Sequence, residues 1–249
     1  MTRKTGLAAF AMLGIISVGC KDETVESEDI RTSGIWASFE VLATGNGESS
    51  VKSQLRVGGD SGTLVNLTGQ DKLVCSVGDA LTKTLAKSGD YYKGTFAADA
   101  GGTQFKFAFS RGDADEAAPN SVVTLPDPFT IGGVTDGQQV SRAAALTITW
   151  EPSTTAGDAM TWTLSGDCLF DSHASVQTDG TLTLQGEDFD ATPSADEAAK
   201  SGDAEKANCT AKLCLERLRK GTLDPAFAEE EGGKIFAVQK RCVQFVSTP

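Results

Sequence analysis

Six cysteines, a single histidine and a surplus of carboxylates are the side chains here whose types could do chemistry. The thiols stand at 20, 75, 168, 209, 214 and 242. A structural zinc site wants four thiolate or imidazole ligands at short, regular spacing. The cysteines lack that spacing, and His173 alone cannot complete a mixed site, so no metal or other cofactor is expected. A nucleophilic triad would have to recruit His173 with Ser172 or Asp171. Neighbouring residues project in different directions, and no G-x-S-x-G elbow is present. His173 is therefore expected to be an exposed loop residue, and no catalytic residues are assigned. Glycoside hydrolysis needs two carboxylates on opposite sides of a sugar, but the acids cluster in loops and aromatic residues to hold a sugar are few. Asp113-Ala-Asp115-Glu116 and Asp188-Phe-Asp190 offer loose oxygen sets for calcium without the EF-hand pattern. Arg111-Gly112-Asp113 spells an adhesion tripeptide too short to count.

What the thiols become depends on compartment. Arg3 and Lys4 precede an apolar run from Leu7 to Val18, followed by Gly19-Cys20. The run is shorter than the roughly 20 residues that span a bilayer and has the layout of a secretory signal. With small residues Ser17, Val18 and Gly19 before Cys20, it resembles the lipobox of bacterial lipoproteins, with Ser17 where that family prefers Leu. The resemblance implies cleavage after residue 19 and acylation of Cys20. More than one acyl chain makes a durable membrane anchor. Lys21–Arg31 is charged, with Val25 and Ile30 its only apolar residues, and residues 20–33 are expected to be a tether that cannot order itself.

The whole chain carries 22 basic and 34 acidic residues. Without Arg3 and Lys4 the balance is 20 to 34, a net charge of −14. That excludes nucleic acid and a bare anionic surface as general partners. The 230 residues left without 1–19 can build one sizeable core or two smaller ones.

Short alternating apolar runs point to strands. Ile35, Ala37, Phe39 and Val41 alternate with Trp36, Ser38 and Glu40. Folding the chain about Asn46 sets Val41 against Val51, Ala37 against Leu55 and Ile35 against Val57, leaving one face apolar. Thr63–Leu67 and Lys72–Val77 are expected as strands. Tyr91–Ala97 and Thr103–Ser110 are expected to pair as a hairpin across Asp99–Gly102, with Phe105, Phe107 and Phe109 on one face. Arg111–Ser121 reads as a loop. Pro126 and Pro128 cannot donate to a ladder, and a domain boundary is expected near residue 132. Beyond it, threonines alternate with Leu146, Ile148 and Trp150, with Met160, Trp162 and Leu164, and with Leu182 and Leu184. Gly186–Ala207 is expected to be a loop, or a loop holding one helix capped by about Ser194.

In an oxidising space the five thiols beyond Cys20 should pair. Laying the two last strands together about residue 228 puts Cys214 opposite Cys242, Glu216 opposite Lys240 and Leu213 opposite Val243. This predicts a solvent-side bridge between Cys214 and Cys242. Cys168 shares the inward parity of Leu164, and Cys209 that of Leu213, which predicts a second bridge closing the acidic loop. Cys75, between Leu73 and Val77, is left as a small buried hydrophobe.

The expected fold is all-β: two antiparallel, immunoglobulin-like β-sandwiches over residues 34–131 and 132–249, after signal peptide 1–19 and tether 20–33. The phrases Leu55–Gly59, Val123–Phe129, Asp158–Trp162, Ser165–Cys168 and Gly221–Phe227 resemble those of uncharacterised secreted bacterial lipoproteins. That resemblance implies no known activity. It implies a place in the cell envelope, at the outer membrane before the inner, with the mature chain in the periplasm or at the surface. The function expected is non-enzymatic: binding another envelope protein or polysaccharide, or forming part of the surface. The alternatives are a carboxylate-based hydrolase and a calcium-stiffened adhesin.

Overall fold

The computed structural model describes residues 24–78, 80–112, 117–153, 157–176, 179–227 and 232–249. The expected signal peptide and Cys20 lie outside them. The strands, in chain order, are β1 (Thr24–Glu26), β2 (Ile35–Ala43), β3 (Ser49–Val57), β4 (Thr63–Asn66), β5 (Lys72–Val77), β6 (Leu81–Thr84), β7 (Ala86–Ser88), β8 (Tyr91–Phe96), β9 (Gln104–Ser110) and β10 (Ala118–Thr124). They continue with β11 (Thr130–Gly132), β12 (Gln139–Ser141), β13 (Leu146–Glu151), β14 (Ala159–Gly166), β15 (Leu169–Val176), β16 (Thr181–Leu184), β17 (Cys209–Lys220) and β18 (Gly233–Thr248).

An 11-stranded sheet runs through the molecule in the order β1-β4-β3-β2-β18-β17-β14-β15, with β7, β8 and β12 attached. One part of its inner face is covered by the four-stranded sheet β10-β9-β5-β6, another by the three-stranded sheet β11-β13-β16. The fold is thus all-β and of sandwich type, with two sandwiches built on one shared sheet. Most pairings are antiparallel, but β1–β4, β12–β18 and β18–β2 are parallel.

Two apolar clusters follow. The first gathers Phe39, Phe96, Phe105, Phe107, Phe109 and Phe227. Phe39 stacks on Phe107 at 4.7 Å and Phe96 meets Phe105 edge-on at 5.8 Å, both favourable aromatic geometries. The second gathers Ile148, Trp150, Trp162, Leu164, Leu213 and Phe245. Along the chain the cluster changes between Leu125, in the first, and Phe129, in the second. The later chain does not keep to that order. Phe227, Ile235 and Ala237 return to the first core, while Val243 and Phe245 reach the second. β18 is long enough to serve both because it crosses from one sandwich to the other within a single strand. Its start lies hard against β2: a Cβ on Gly233, whose φ is +132°, would stand 1.8 Å from the Ala37 carbonyl oxygen. Only glycine fits there.

Several expectations need correction. Tyr91–Phe96 and Gln104–Ser110 do not pair. β8 joins β3 and β7 in the large sheet, whereas β9 joins β5 and β10 in the small one. Between them the chain changes layers, held by Ser49 Oγ on the Ala98 carbonyl and by Gly47 N–H on Asp99 Oδ2. The loop expected at 111–121 gives way to β10 from Ala118; Pro119 is tolerated there because β10 is an edge strand, irregular between Ala118 and Ser121. The tether is overturned from Thr24 onward. β1 pairs with β4, and Ser27 and Thr32 are buried. Arg111 holds this segment, donating to the Ser27 and Ile30 carbonyls and to Thr32 Oγ1 while pairing with Asp71 at 3.3 Å. Few apolar residues are needed when one buried guanidinium satisfies that much backbone. The helix in the acidic loop starts at Pro193, not after Ser194, because proline suits the first helical position. A short second helix, Ala204–Ala207, follows, with Asp203 accepting from the Lys206 amide.

Candidate functional site: the open face of the shared sheet

The period of two puts opposite jobs on the two faces of the large sheet. Inward positions of β18 read Ile235, Ala237, Gln239, Arg241, Val243, Phe245. They are apolar under each sandwich and polar between them. At that junction Arg217, opposite Gln239, is fully buried. It donates to the Asp127 carbonyl at 2.9 Å and the Pro152 carbonyl at 2.5 Å, and its guanidinium lies 4.9 Å from the Phe129 ring centre. Burial pulls its pKa below the ordinary arginine value, against the opposing pull of Asp158 and Asp127. Arg219 grips Asp158 with two bonds of 2.7 and 2.9 Å and donates to the Leu125 carbonyl. The proline-bearing crossing between the sandwiches, unable to join a ladder, is thus clamped by arginines from β17.

The other face of the sheet is not covered by either small sheet. Register lines up Lys93, Lys52, Glu40, Phe236 and Lys220 across five adjacent strands. The next row carries Gln54, Ser38 and Lys234. Trp36, Tyr91 and Phe236 stand half-exposed among them. Together with Ser38, Glu40, Gln54 and Asp60 they line a groove of about 190 Å³. A second, more apolar hollow of about 530 Å³ continues it past Phe236 to Leu218 and Leu223. Lys52 Nζ sits 3.9 Å from the Tyr91 ring centre, Lys93 Nζ 5.7 Å from the same ring, and Lys234 Nζ 5.5 Å from Trp36. These are cation–π distances. Gln54 is oriented by the Asp90 carbonyl and by Arg56 Nε. Aromatic surface beside fixed polar groups is the chemistry of a ligand-binding face.

Cys214 and Cys242 are bonded on this face, directly opposite each other with Cα atoms 4.1 Å apart. Cys242 is exposed, but Cys214 is buried between neighbouring strands, so only one end faces solvent. Lys240 Nζ lies 2.6 Å from Glu216 beside it. Cys168 and Cys209 form the second bridge, which closes the helical segment. Arg142 stays beside it, donating to Cys168 Sγ, Ser247 Oγ and the Ala207 carbonyl. Cys75 is free and buried, and burial pushes its thiol up to about 12.

His173 is exposed as expected, but on β15, a strand not expected from the sequence. Ser172 points to the opposite face and donates to the Asp188 carbonyl, so the two do not form a dyad. Asp188 accepts from the Gln185 amide in a turn cap, a local role. Asp113, Asp115 and Glu116 lie outside the described residues. Among the described residues no three acidic, histidine or cysteine side chains gather to hold a metal, and no helix is long and apolar enough to cross a membrane.

No protein-family model matches the chain, and no curated protein does. Among solved structures, the chain is similar to a two-domain fibronectin type-III segment of chicken tenascin, at 9% identity and a TM-score of 0.22, over 73% of this chain and 89% of that one. It is also similar to fibronectin(III)-like modules of Clostridium thermocellum CbhA, at 12% identity and a TM-score of 0.26, over 85% and 88%. A third similarity, to E. coli alpha-2-macroglobulin, has 9% identity and a TM-score of 0.23, and covers 86% of this chain and 14% of that one.

Proposed function

We propose that this chain is a non-catalytic, lipid-anchored protein of the bacterial cell envelope, and that the open face of its shared sheet binds another envelope component. The observation that carries the binding role is the setting of Trp36, Tyr91 and Phe236 among polar groups on a sheet face that no other layer covers. The leader and Cys20 support the anchor by resemblance. Two bridges, Cys168–Cys209 and Cys214–Cys242, support an oxidising compartment. The intact mass of the protein made in its host, before and after reduction, tests the anchoring. The expected mass lacks residues 1–19, carries acyl chains and rises on reduction by the hydrogens of two bridges. A protein that keeps its starting methionine with every thiol free would contradict the proposal.

A second reading, a carboxylate-based hydrolase, draws on Glu40 and Asp60, which line the same groove. It requires that a bound glycan be shortened on incubation, and that Glu40→Gln abolish the shortening. A glycan recovered at its original length rejects it.

A further inference from the structure

The composition of the open face narrows its ligand further, on the premise that this face binds at all. The protein as a whole is acidic, with a net charge of −12. Yet the two rows of the groove and its edge carry Lys52, Lys93, Lys220 and Lys234 against Glu40 and Asp60. Lys52 and Lys93 are direct cross-strand partners, a like-charge pairing that costs stability. Both ammonium groups converge on the Tyr91 ring, and neither has an ion-pair partner among the described residues. Two cations held side by side, in a chain with acids to spare, are poised for an external anion.

The rest of the groove says what carries that anion. Trp36 and Tyr91 offer flat apolar faces, while Ser38, Glu40 and Gln54 offer donors and acceptors between them. Glu40 and Asp60 line a groove; a flat anionic bilayer surface would set like charge against them, whereas the hydroxyls of a glycan chain entering the groove would donate to both. The row from Lys93 to Lys220 crosses four strand spacings of about 4.8 Å, about 19 Å in all, which suits a chain rather than a single small molecule. We infer that the open face binds a polyanionic glycan, one bearing carboxylates or phosphates, laid across β8, β3, β2, β18 and β17.

The experiment uses the mature chain and Trp36 emission. Trp150 and Trp162 are buried in the second core, so Trp36 is the tryptophan that can report contact. Four probes are titrated: polygalacturonate, phosphomannan, neutral dextran, and phosphatidylglycerol vesicles. Polygalacturonate or phosphomannan should shift the emission, and salt should weaken the effect. Lys52→Gln with Lys93→Gln should weaken binding by about tenfold without lowering Tm, because a repulsive pair is removed. Lys72→Gln with Lys106→Gln, which removes the same charge from the exposed side of the small sheet, should leave binding unchanged. A response to dextran of equal strength, a response to vesicles alone, or equal losses in both double variants would overturn the acidic glycan while the binding face of the proposed function stands. Silence towards all four probes would overturn the acidic glycan and exclude glycans and lipid as ligands of this face, leaving only a protein partner for the proposed function.

Discussion

The two sandwiches share a sheet but are held by different means. The first packs phenylalanines from β2, β8 and β9 and the loop residue Phe227 into one cluster, and its one cysteine stays a buried thiol. The second packs two tryptophans and fewer phenylalanines, takes in two short helices, and has both bridges. An aromatic cluster removes much apolar surface from water per residue, whereas a bridge acts mainly by restricting the unfolded chain. Where the chain wanders, as between Gly186 and Ala207, little apolar surface is available and covalent closure substitutes for it. Where it runs as tight strands in the first sandwich, side-chain packing suffices, while in the second a bridge also ties β17 to β18.

The comparison can be broken from either side. The largest effect is expected in the first sandwich: Phe107→Ala removes a fully buried ring stacked on Phe39 and should cost about 3–5 kcal/mol in urea unfolding. A loss below about 1 kcal/mol would show that the cluster is not what holds that half. Next comes Cys168→Ser with Cys209→Ser, expected to cost about 2–4 kcal/mol, with limited proteolysis appearing first between Gly186 and Ala207. Cleavage appearing first in β9 instead would reverse the assignment of roles. Arg217→Met tests the joint. It leaves the Asp127 and Pro152 carbonyls without their donor and should cost about 1–3 kcal/mol. Unchanged stability would mean that the clamp does not contribute.

The smallest effect concerns pH. The folded protein holds the Cys75 thiol protonated up to about 12, against about 9 when unfolded. A raised folded value contributes stability in full below the unfolded value, and that contribution is lost as pH rises through the folded one. Stability should therefore fall between about pH 9 and about pH 12, and Cys75→Ala should flatten that fall. An identical alkaline slope in the variant would assign it to other groups.

Two local pairings were legible in the sequence; the hairpin expected across Asp99–Gly102 does not form, and the distant pairings were not legible. The β2–β3 register about Asn46 follows from parity and a short turn, and the β17–β18 register about residue 228 from parity alone, since the connection between those strands is long. The same parity that puts Cys214 opposite Cys242 also sets Leu213 opposite Val243. The β18–β2 pairing is parallel and joins residues nearly the whole mature chain apart, set by the close approach at Gly233. No alternation announces such a contact. The open face was half legible for this reason. Trp36 already carried outward parity, but Phe236 reaches it only through β18, and Tyr91 only through β8, which the sequence placed in the wrong sheet. The N-terminal segment was misread because the residue that orders it, Arg111, is remote from it and looked like part of a loop.

One measurement addresses the claim that a single sheet serves both sandwiches: peptide-resolved hydrogen exchange of the mature chain and its Phe107→Ala variant. If β18 couples the two cores, the substitution should quicken exchange not only in β9 and β2 but also in the Leu213–Leu215 and Val243–Phe245 segments, which belong to the second core. Quickening confined to the first sandwich, with those two segments unmoved, would contradict the shared sheet as the element on which the whole molecule is built.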